Sequence, residues 1–406
     1  MKATSKRWGV LAAVFLAAAA CTVQLEQTSA VSTPVPATET QALPTATATV
    51  TPLPVTPTAT EEGATGVPEA AARPFPTDWF GFPYLDDSML DYEILAGWQD
   101  LGLEGSVLFL SNSQAGQAVV VFDFAAGRFA PIFVVPENTW VLSASANPNR
   151  SDVLLSYAPV PPEGETQYGY TDLYRLSPDG TLVPLLERTE AVESFFAAFY
   201  SNSGEDVFYS WFVIDDTVDY GFRYHINSLD LETGVWGTIV EDAFWQNVSA
   251  DDGRLAYVTL DPNAAIDAPA ELLIVPAGGG APVAALDPEQ FPTVDAPFFS
   301  PDGRYLYFSA VSEEPPALSW LDRLMGVIPV SAHNVPSDWW RVDLETGGTA
   351  RVSQVFDQGL FGDFSPEGDR IAFISSAGLW VMNPDGSGLV QVISSNLFYG
   401  NVEWVR

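Results

Sequence analysis

Residues 299–309 read FSPDGRYLYFS, and this stretch decides the fold because it recurs along the chain. Two hydrophobic runs flank SPDG, in which Pro301 and Asp302 suit the corner of a tight turn and Gly303 can take a positive φ. The stretch therefore predicts two antiparallel strands joined by a short turn. Its other copies are FSPEGDRIAFI at 364–374, VSADDGRLAYV at 248–258, YSNSGEDVFY at 200–209 and, in degenerate form, NPNRSDVLL at 147–155.

A second signature follows these copies, and its earliest instance lacks an SPDG-like turn upstream. It is an apolar strand that ends in a turn containing Gly, which predicts a third strand and a hairpin to a fourth. The instances are LWVMNPDGSG at 379–388, WRVDLETG at 340–347, SLDLETG at 228–234, LYRLSPDG at 173–180 and VVVFDFAAG at 119–127. Four antiparallel strands in each period of about 50 residues are typical of a β-propeller blade, so an all-β fold is predicted.

These motifs resemble the TolB-like, or PD40, β-propeller repeat, and the match is best over 364–388. The resemblance implies a propeller over 105–406 but says little about function, because propellers host many unrelated activities. Complete blades are predicted to start near Trp140, Ser194, Phe244, Val294 and Gly359.

The number of blades follows from the two ends of the repeat region. Residues 105–133 supply only three strands, and we expect the C-terminal strand at 400–406 to complete their blade. This pairing closes a ring of six blades and removes the open edges that invite aggregation. Residues 77–104 form a lead-in that no repeat explains, and seven blades are the alternative if they add strands.

The N-terminal segment 1–20 has the features of an export signal. Three cationic residues precede an apolar run from Trp8 to Ala20, which is too short to span a bilayer comfortably. Cys21 follows three alanines, so the segment resembles a bacterial lipoprotein signal peptide. The resemblance implies cleavage before Cys21, a diacylglycerol on its thiol with fatty acids such as palmitate, and an extracytoplasmic, membrane-anchored location at the cell surface or facing the periplasm. The alternative is an ordinary secretory signal with an incidental cysteine.

Residues 21–76 are rich in Thr, Pro and Ala and cannot bury enough apolar surface to fold. Their prolines favour an extended chain. We therefore predict a disordered stalk that holds the propeller away from the membrane.

The charge of the chain excludes one class of partner. There are 16 basic and 52 acidic residues, which give a net charge of −36. Loss of 1–20, which contains three cations and no acid, would leave −39. Such a surface repels nucleic acid phosphates, so no nucleic acid partner is expected. The single cysteine allows no disulfide within the chain, and we expect a monomer held together by its core.

Loop length separates the two faces of the predicted propeller. Connections from first to second and from third to fourth strands are short, whereas second-to-third connections near 157–171, 211–222, 260–270 and 310–338 are long. Long loops on a rigid scaffold commonly carry function.

Aromatic side chains beside carboxylates suit sugars, peptides or cationic ligands. The ligand-binding candidates are Tyr168, Tyr170, Trp211, Tyr220, Trp320, His333 and Trp339. The alternative is that these side chains pack between blades, and a helix predicted at 316–325 could dock a partner or seal the channel.

Few residues suggest catalysis, so no catalytic residue is assigned. No cofactor is expected. No G-x-S-x-G motif occurs, and His225 lies in a predicted strand, where a structural role is expected. Asp215, Asp216 and Asp219 are weak candidates for a Ca²⁺ site, because their spacing matches no known loop motif. With 52 acidic residues, carboxylate chemistry of the glycosidase type stays open.

The sequence thus favours a propeller that binds an envelope protein, a peptide or a glycan on its long-loop face. The alternatives are a carbohydrate-active propeller, either a glycosidase or a lyase with paired carboxylates, and a purely structural module. Two carboxylates converging at the channel mouth would favour the enzyme, and a flat aromatic face without them would favour binding.

Overall fold

The computed structural model describes residues 78–161, 170–264, 268–291, 293–311 and 335–406. Cys21, Tyr168, Trp320, His333 and the helix predicted at 316–325 lie outside these residues. Within them are one 3-10 helix, Gln99–Leu101, and 27 strands. The strands are β1 (Asp78–Trp79), β2 (Phe82–Pro83), β3 (Glu93–Ile94), β4 (Ser106–Ser113), β5 (Gly116–Asp123), β6 (Arg128–Val134), β7 (Trp140–Ala146), β8 (Val153–Ala158), β9 (Asp172–Leu176), β10 (Leu182–Leu186), β11 (Ser194–Tyr200), β12 (Asp206–Ile214), β13 (Phe222–Asp230), β14 (Trp236–Glu241), β15 (Ala243–Val248), β16 (Arg254–Thr259), β17 (Leu272–Pro276), β18 (Val283–Ala284), β19 (Val294–Phe299), β20 (Tyr305–Val311), β21 (Ser337–Asp343), β22 (Thr349–Arg351), β23 (Phe361–Phe364), β24 (Ile371–Ser375), β25 (Gly378–Met382), β26 (Val390–Ser394) and β27 (Phe398–Val405).

Six antiparallel sheets form the blades of a propeller. Blade one is β27-β4-β5-β6, and blades two to five are β7–β10, β11–β14, β15–β18 and β19–β22. Blade six is β23–β26, with β3 added at its outer edge. The predicted six-bladed, all-β fold is confirmed, and each predicted blade start lies within two residues of the observed one.

Blade one joins the last strand of the chain to the first strands of the repeat region. β27 pairs antiparallel with β4, so that Tyr399 lies opposite Leu110 and Val405 lies opposite Ser106. The prediction that the C-terminal strand closes the ring is therefore confirmed. This pairing covers an edge of β4 that would otherwise be open.

Apolar side chains on both faces of the middle strands form the core between blades. In β5, the run Val119–Phe122 is fully buried. Val119 packs with residues of blade two, whereas Val120 packs with residues of blade six. Because both faces of a blade are covered, its middle strands read as continuous apolar runs without alternation.

The serine of the SPDG turn has a specific hydrogen-bonding role. Ser300 Oγ accepts the Tyr305 N–H at 2.9 Å, and the Ser300 N–H donates to the Tyr305 carbonyl at 2.9 Å. Gly303 has a φ of 66°, and a Cβ there would lie 2.3 Å from the Arg254 guanidinium of the preceding blade. The motif therefore specifies both the tight turn and the close approach of the preceding blade.

Residues 78–104 form a strap and not a seventh blade. The indole N–H of Trp79, in the β1–β2 hairpin, donates to Ser106 Oγ of blade one at 2.7 Å. β3 pairs with β26 of blade six, and Trp98 is buried against Phe122 of blade one. The seven-blade alternative is therefore wrong. Among the described residues, no helix has the length and apolarity needed to cross a membrane.

Candidate functional site

The first strands of the six blades surround a central cavity of about 520 Å³. Its wall combines aromatic rings with polar side chains that these strands contribute. The rings are those of Phe199, Tyr200, Trp245, Phe299, Phe361, Phe364 and Trp404. The lining also includes exposed residues of the SPDG-like turns, such as Pro148, Pro301 and Pro366, so the cavity opens on the short-turn face.

The cavity wall is irregular where the inner strands carry β-bulges. Register shifts occur in β11, β15, β19 and β27. Residues with positive φ at these bulges are Ala197 at 47°, Trp245 at 52°, Ala296 at 46° and Gly400 at 79°. Residues other than glycine rarely adopt such angles. Bulges bend a strand locally, so the inner strands of blades one, three, four and five are bent at the cavity wall.

Polar side chains bind the free inner edge of the neighbouring blade. Asn401 of β27 donates its amide to the Ala144 carbonyl at 2.8 Å and accepts the Ala144 N–H at 3.3 Å. Glu403 Oε2 accepts the Ala146 N–H at 2.8 Å. Equivalent bonds join Ser143 to Ala198, Ser145 to Tyr200, Gln246 to Ala197 and Asn247 to Phe299. These contacts fix adjacent blades at the channel without any extra strand.

Two carboxylates in this wall have perturbed pKa values. Asp363 Oδ2 accepts the Trp404 N–H at 2.9 Å, and its Oδ1 accepts the Phe364 N–H at 2.8 Å. Burial raises the pKa of Asp363 to about 6, against the opposing effect of these two bonds. Burial and, to a lesser extent, the Asp363 charge raise the pKa of Glu403 to about 8. At neutral pH, Glu403 is therefore mostly protonated while Asp363 is mostly ionised.

No cation neutralises this pair within the described part of the chain, where neither carboxylate takes part in an ion pair. The arginines of the lining, Arg150 and Arg406, are both exposed at the rim. Arg150 lies 4.4 Å over the Phe80 ring, and Arg406 contacts Glu367 at 2.8 Å.

Aromatic rings narrow the channel toward the long-loop side. The Trp245 ring of blade four lies 5.2 Å from the Phe361 ring of blade six. Blade five separates these two strands around the ring, so the contact crosses the channel. Trp245 also lies 6.2 Å from Phe196 of blade three. Since both Trp245 and Phe361 sit near the start of their strands, the cavity extends from this contact toward the short turns.

The predicted ligand-binding residues that the structure describes lie in three different blades. Tyr170 precedes β9 of blade two and is half-buried, and Trp211 and Tyr220 belong to blade three and are half-buried. Trp211 packs in the outer half of its blade, 5.3 Å from His225 and 6.0 Å from Trp236. The structure does not bring these residues to the central cavity.

Trp339 has a different environment from the one expected of a ligand platform. It is 0% exposed, and its ring packs edge-on against Phe298 at 5.1 Å and Phe373 at 6.0 Å. Its strand, β21, is a middle strand with covered faces, which explains the burial. This position fits the alternative of packing between blades, and we do not retain Trp339 as a ligand-binding residue.

The candidate Ca²⁺ residues are not arranged as a ligand set. Asp215 accepts the Arg223 Nε–H at 2.7 Å, and Arg223 also contacts Asp242 at 2.7 Å. Hydrogen bonds from Thr217 and Arg223 lower the pKa of Asp215 to about 2. Asp216 and Asp219 are exposed. Among the described residues, no three His, Cys, Asp or Glu side chains are grouped as metal ligands.

Asp363 and Glu403 are not among the site residues predicted from the sequence. The available signal was a polar residue in the apolar first strand of a blade, which recurs at Ser143, Gln246 and Asn401. Such a residue can be assigned to the channel wall only when the ring is known to close, because closure is what makes the first strands line a channel.

Comparisons with known proteins find similarity at the level of structure alone. No family model matches the chain, and no curated protein matches its sequence. TolB from Acinetobacter baumannii is similar with a TM-score of 0.49 and 15% identity, over 74% of this chain and 65% of that one. A putative TolB from Agrobacterium tumefaciens gives 0.49 and 17%, over 75% and 100% of the two chains. An oligogalacturonate lyase in complex with manganese gives 0.45 and 12%, over 71% and 73%. The six-bladed fold therefore rests on the strand pairing of this chain itself.

Proposed function

We propose that this protein is an exported, lipid-anchored propeller that binds an envelope protein, a peptide or a glycan on its long-loop face. One observation carries the proposal. Blades two to five connect their second and third strands through 159–171, 215–221, 260–271 and 312–336, whereas blades one and six use only 114–115 and 376–377. The four long connections belong to consecutive blades, whereas the strand-to-strand turns on the opposite face are all short. Long loops on a rigid scaffold commonly carry function.

The attachment point of the N-terminal segment supports this choice of face. Phe80 lies under Arg150 in the first turn of blade two, and Gly81 lies beside Pro178 in its second short turn. The chain thus enters the propeller on the short-turn face. The long loops therefore lie on the face opposite the point where the described chain begins.

The long connection of blade five allows a test of whether the long-loop face binds the partner, with a control variant on the opposite face. Val311 and Ser337, which flank this connection, are paired across strands β20 and β21. In blade six the equivalent pair, Ser375 and Gly378, is joined by only two residues, 376–377. Replacing 312–336 by Ser-Ala should keep the blade but remove the loop. The control replaces 277–282, on the opposite face, by the 344–348 sequence LETGG. We expect cross-linking in native membranes to capture a partner with the full chain and the control, and to lose it with the loop variant. Capture of the same partner by all three folded proteins would contradict the assignment.

The anchor is tested at Cys21. Cys21→Ala should abolish incorporation of labelled palmitate and release the protein from membranes into the soluble fraction, because stable anchoring requires acyl chains. Labelling of wild type and variant to the same extent would exclude lipidation at this residue.

A carbohydrate-active propeller is the second candidate, and the Asp363–Glu403 pair favours it. One carboxyl is protonated and the other ionised near neutral pH, which is the division of roles that glycosidases use. Incubation with neutral and uronic-acid oligosaccharides, followed by assays for reducing ends and unsaturated products, tests it. Turnover that both Glu403→Gln and Asp363→Asn abolish would establish this candidate, and no turnover with any substrate class would dismiss it.

A further inference from the structure

We propose that the central cavity is a binding site for a small organic molecule that carries a primary ammonium group on an apolar body. This site lies on the short-turn face, opposite the long loops, and is independent of the proposed partner surface. Its features are a cavity of about 520 Å³, aromatic walls, and two carboxylates that no cation of the described chain neutralises.

The size and lining of the cavity suit such a ligand. Small-molecule sites are concave, mostly apolar, and carry a few polar groups that orient the ligand. Here the rings of Phe199, Phe364 and Trp404 provide apolar wall, and Asp363 and Glu403 provide the polar groups. A cation over an aromatic face is attracted by the ring quadrupole, and more strongly where water is excluded.

The carboxylates favour an ammonium ion over a neutral or anionic ligand. A primary ammonium has three N–H donors, and a carboxylate that already accepts one backbone N–H has acceptor positions left. Asp363 accepts two backbone N–H groups, one on each oxygen, and Glu403 accepts the Ala146 N–H and interacts with the Ser145 hydroxyl. Each carboxylate has about four acceptor positions, so both keep some for a ligand. An anion would meet the ionised Asp363, and it could not neutralise either group.

Ligand binding should be coupled to release of a proton. The titratable groups of the lining are Arg150, Tyr200, Asp363, Glu403 and Arg406. The two arginines lie at the exposed rim, and the Tyr200 hydroxyl bonds to Asp152. A cation between the carboxylates favours the ionised form of Glu403, so binding should strengthen as pH rises from about 6 to 8.

The test uses phenethylamine as the probe and 2-phenylethanol as its neutral counterpart. Isothermal titration calorimetry of the full chain in two buffers of different ionisation enthalpy measures affinity and proton release together. We expect phenethylamine to bind at least about tenfold more tightly than the alcohol and to release protons at pH 7. Phenethylamine that does not bind at about 10 mM, or that binds no better than the alcohol, would overturn the proposal.

Variants identify the carboxylates that bind the probe. Glu403→Gln should weaken phenethylamine binding by about tenfold and remove the proton release. Glu367→Gln removes an acid at the rim that does not line the cavity, and it should leave binding unchanged. If Glu403→Gln does not fold, Asp363→Asn tests the affinity instead: it should weaken phenethylamine binding by about tenfold, because the ionised partner of the ammonium is lost. Wild-type affinity in a folded variant of either carboxylate would overturn the assignment.

Discussion

Glu403 holds a proton over a pH range in which an exposed glutamate is ionised, because burial raises its pKa from 4.5 to about 8. In that range the folded state binds a proton that the unfolded state has lost. The free energy of unfolding should therefore fall as pH rises from about 4.5 to 8, by at most about 1.4 kcal/mol per pH unit. Glu403→Gln keeps an oxygen that can accept the Ala146 N–H and removes the titration.

Urea unfolding at pH 5, 6, 7 and 8 checks this difference. The variant should lose less stability than the wild type over the series and should be the more stable protein at pH 8. Asp363, whose pKa is also raised, adds a slope of the same sign to both proteins, so only their difference is interpreted. Parallel pH profiles would show that Glu403 does not titrate in this range.

Residues with local roles could be predicted from the sequence, and those in the channel could not. Ser300 and Gly303 act within a turn of a few residues, so their spacing carries the information. Asp363 and Glu403 come together only when β23 and β27, forty residues apart, meet in the closed ring. Trp339 directly precedes the third-strand signature at 340–347, and the sequence therefore assigns it to the long connection. The strand in fact begins at Ser337, and no local signal marks that boundary.

At the scale of elements, β27 is the strand on which closure depends. Deleting residues 400–406 removes the buried Val402 and Trp404 and uncovers an edge of β4. Loss of the Trp404 side chain alone is comparable to a buried Trp→Ala change, so the deletion should cost at least about 5 kcal/mol. Thermal melting followed by circular dichroism measures the effect.

Deletion of Arg406 alone is the matched control. Its side chain is exposed, and its ion pair with Glu367 is a surface contact worth about 1 kcal/mol or less. The melting temperature should therefore stay close to that of the full chain. If the longer deletion also melts at the wild-type temperature, closure by β27 does not stabilise the ring.

The blades were predictable as elements, whereas the strap was not. The blades repeat a turn motif between strands of ordinary length. Because the motif recurs, a blade can be recognised in the sequence even where its own copy is degenerate. The strap has strands of two residues, Asp78–Trp79, Phe82–Pro83 and Glu93–Ile94, too short to show any periodicity. Its structure depends on contacts between apolar residues such as Trp98 and distant parts of the chain, here Phe122 and Phe124 of blade one.

At the scale of the whole molecule, the protein must fold against the net charge of its chain. The net charge of −36 destabilises the folded state, because folding brings the acidic residues closer together and they repel one another. The single cysteine allows no disulfide within the chain to oppose this repulsion. Ion pairs cannot balance this repulsion, because 52 acids face only 16 basic residues. Stability therefore depends on the apolar contacts between blades and on the closure of blade one.

This balance predicts that salt stabilises the protein. Raising NaCl from about 20 mM to about 0.5 M shortens the Debye length and screens repulsion between exposed acids, so the melting temperature should rise. Exchanging three exposed acids, Glu205, Glu232 and Glu289, for Gln should raise the melting temperature at low salt and reduce the gain from added salt. Differential scanning calorimetry of both proteins in both salts checks these effects together. A melting temperature that falls with salt would instead mean that ion pairs such as Arg223–Asp242 outweigh the net repulsion.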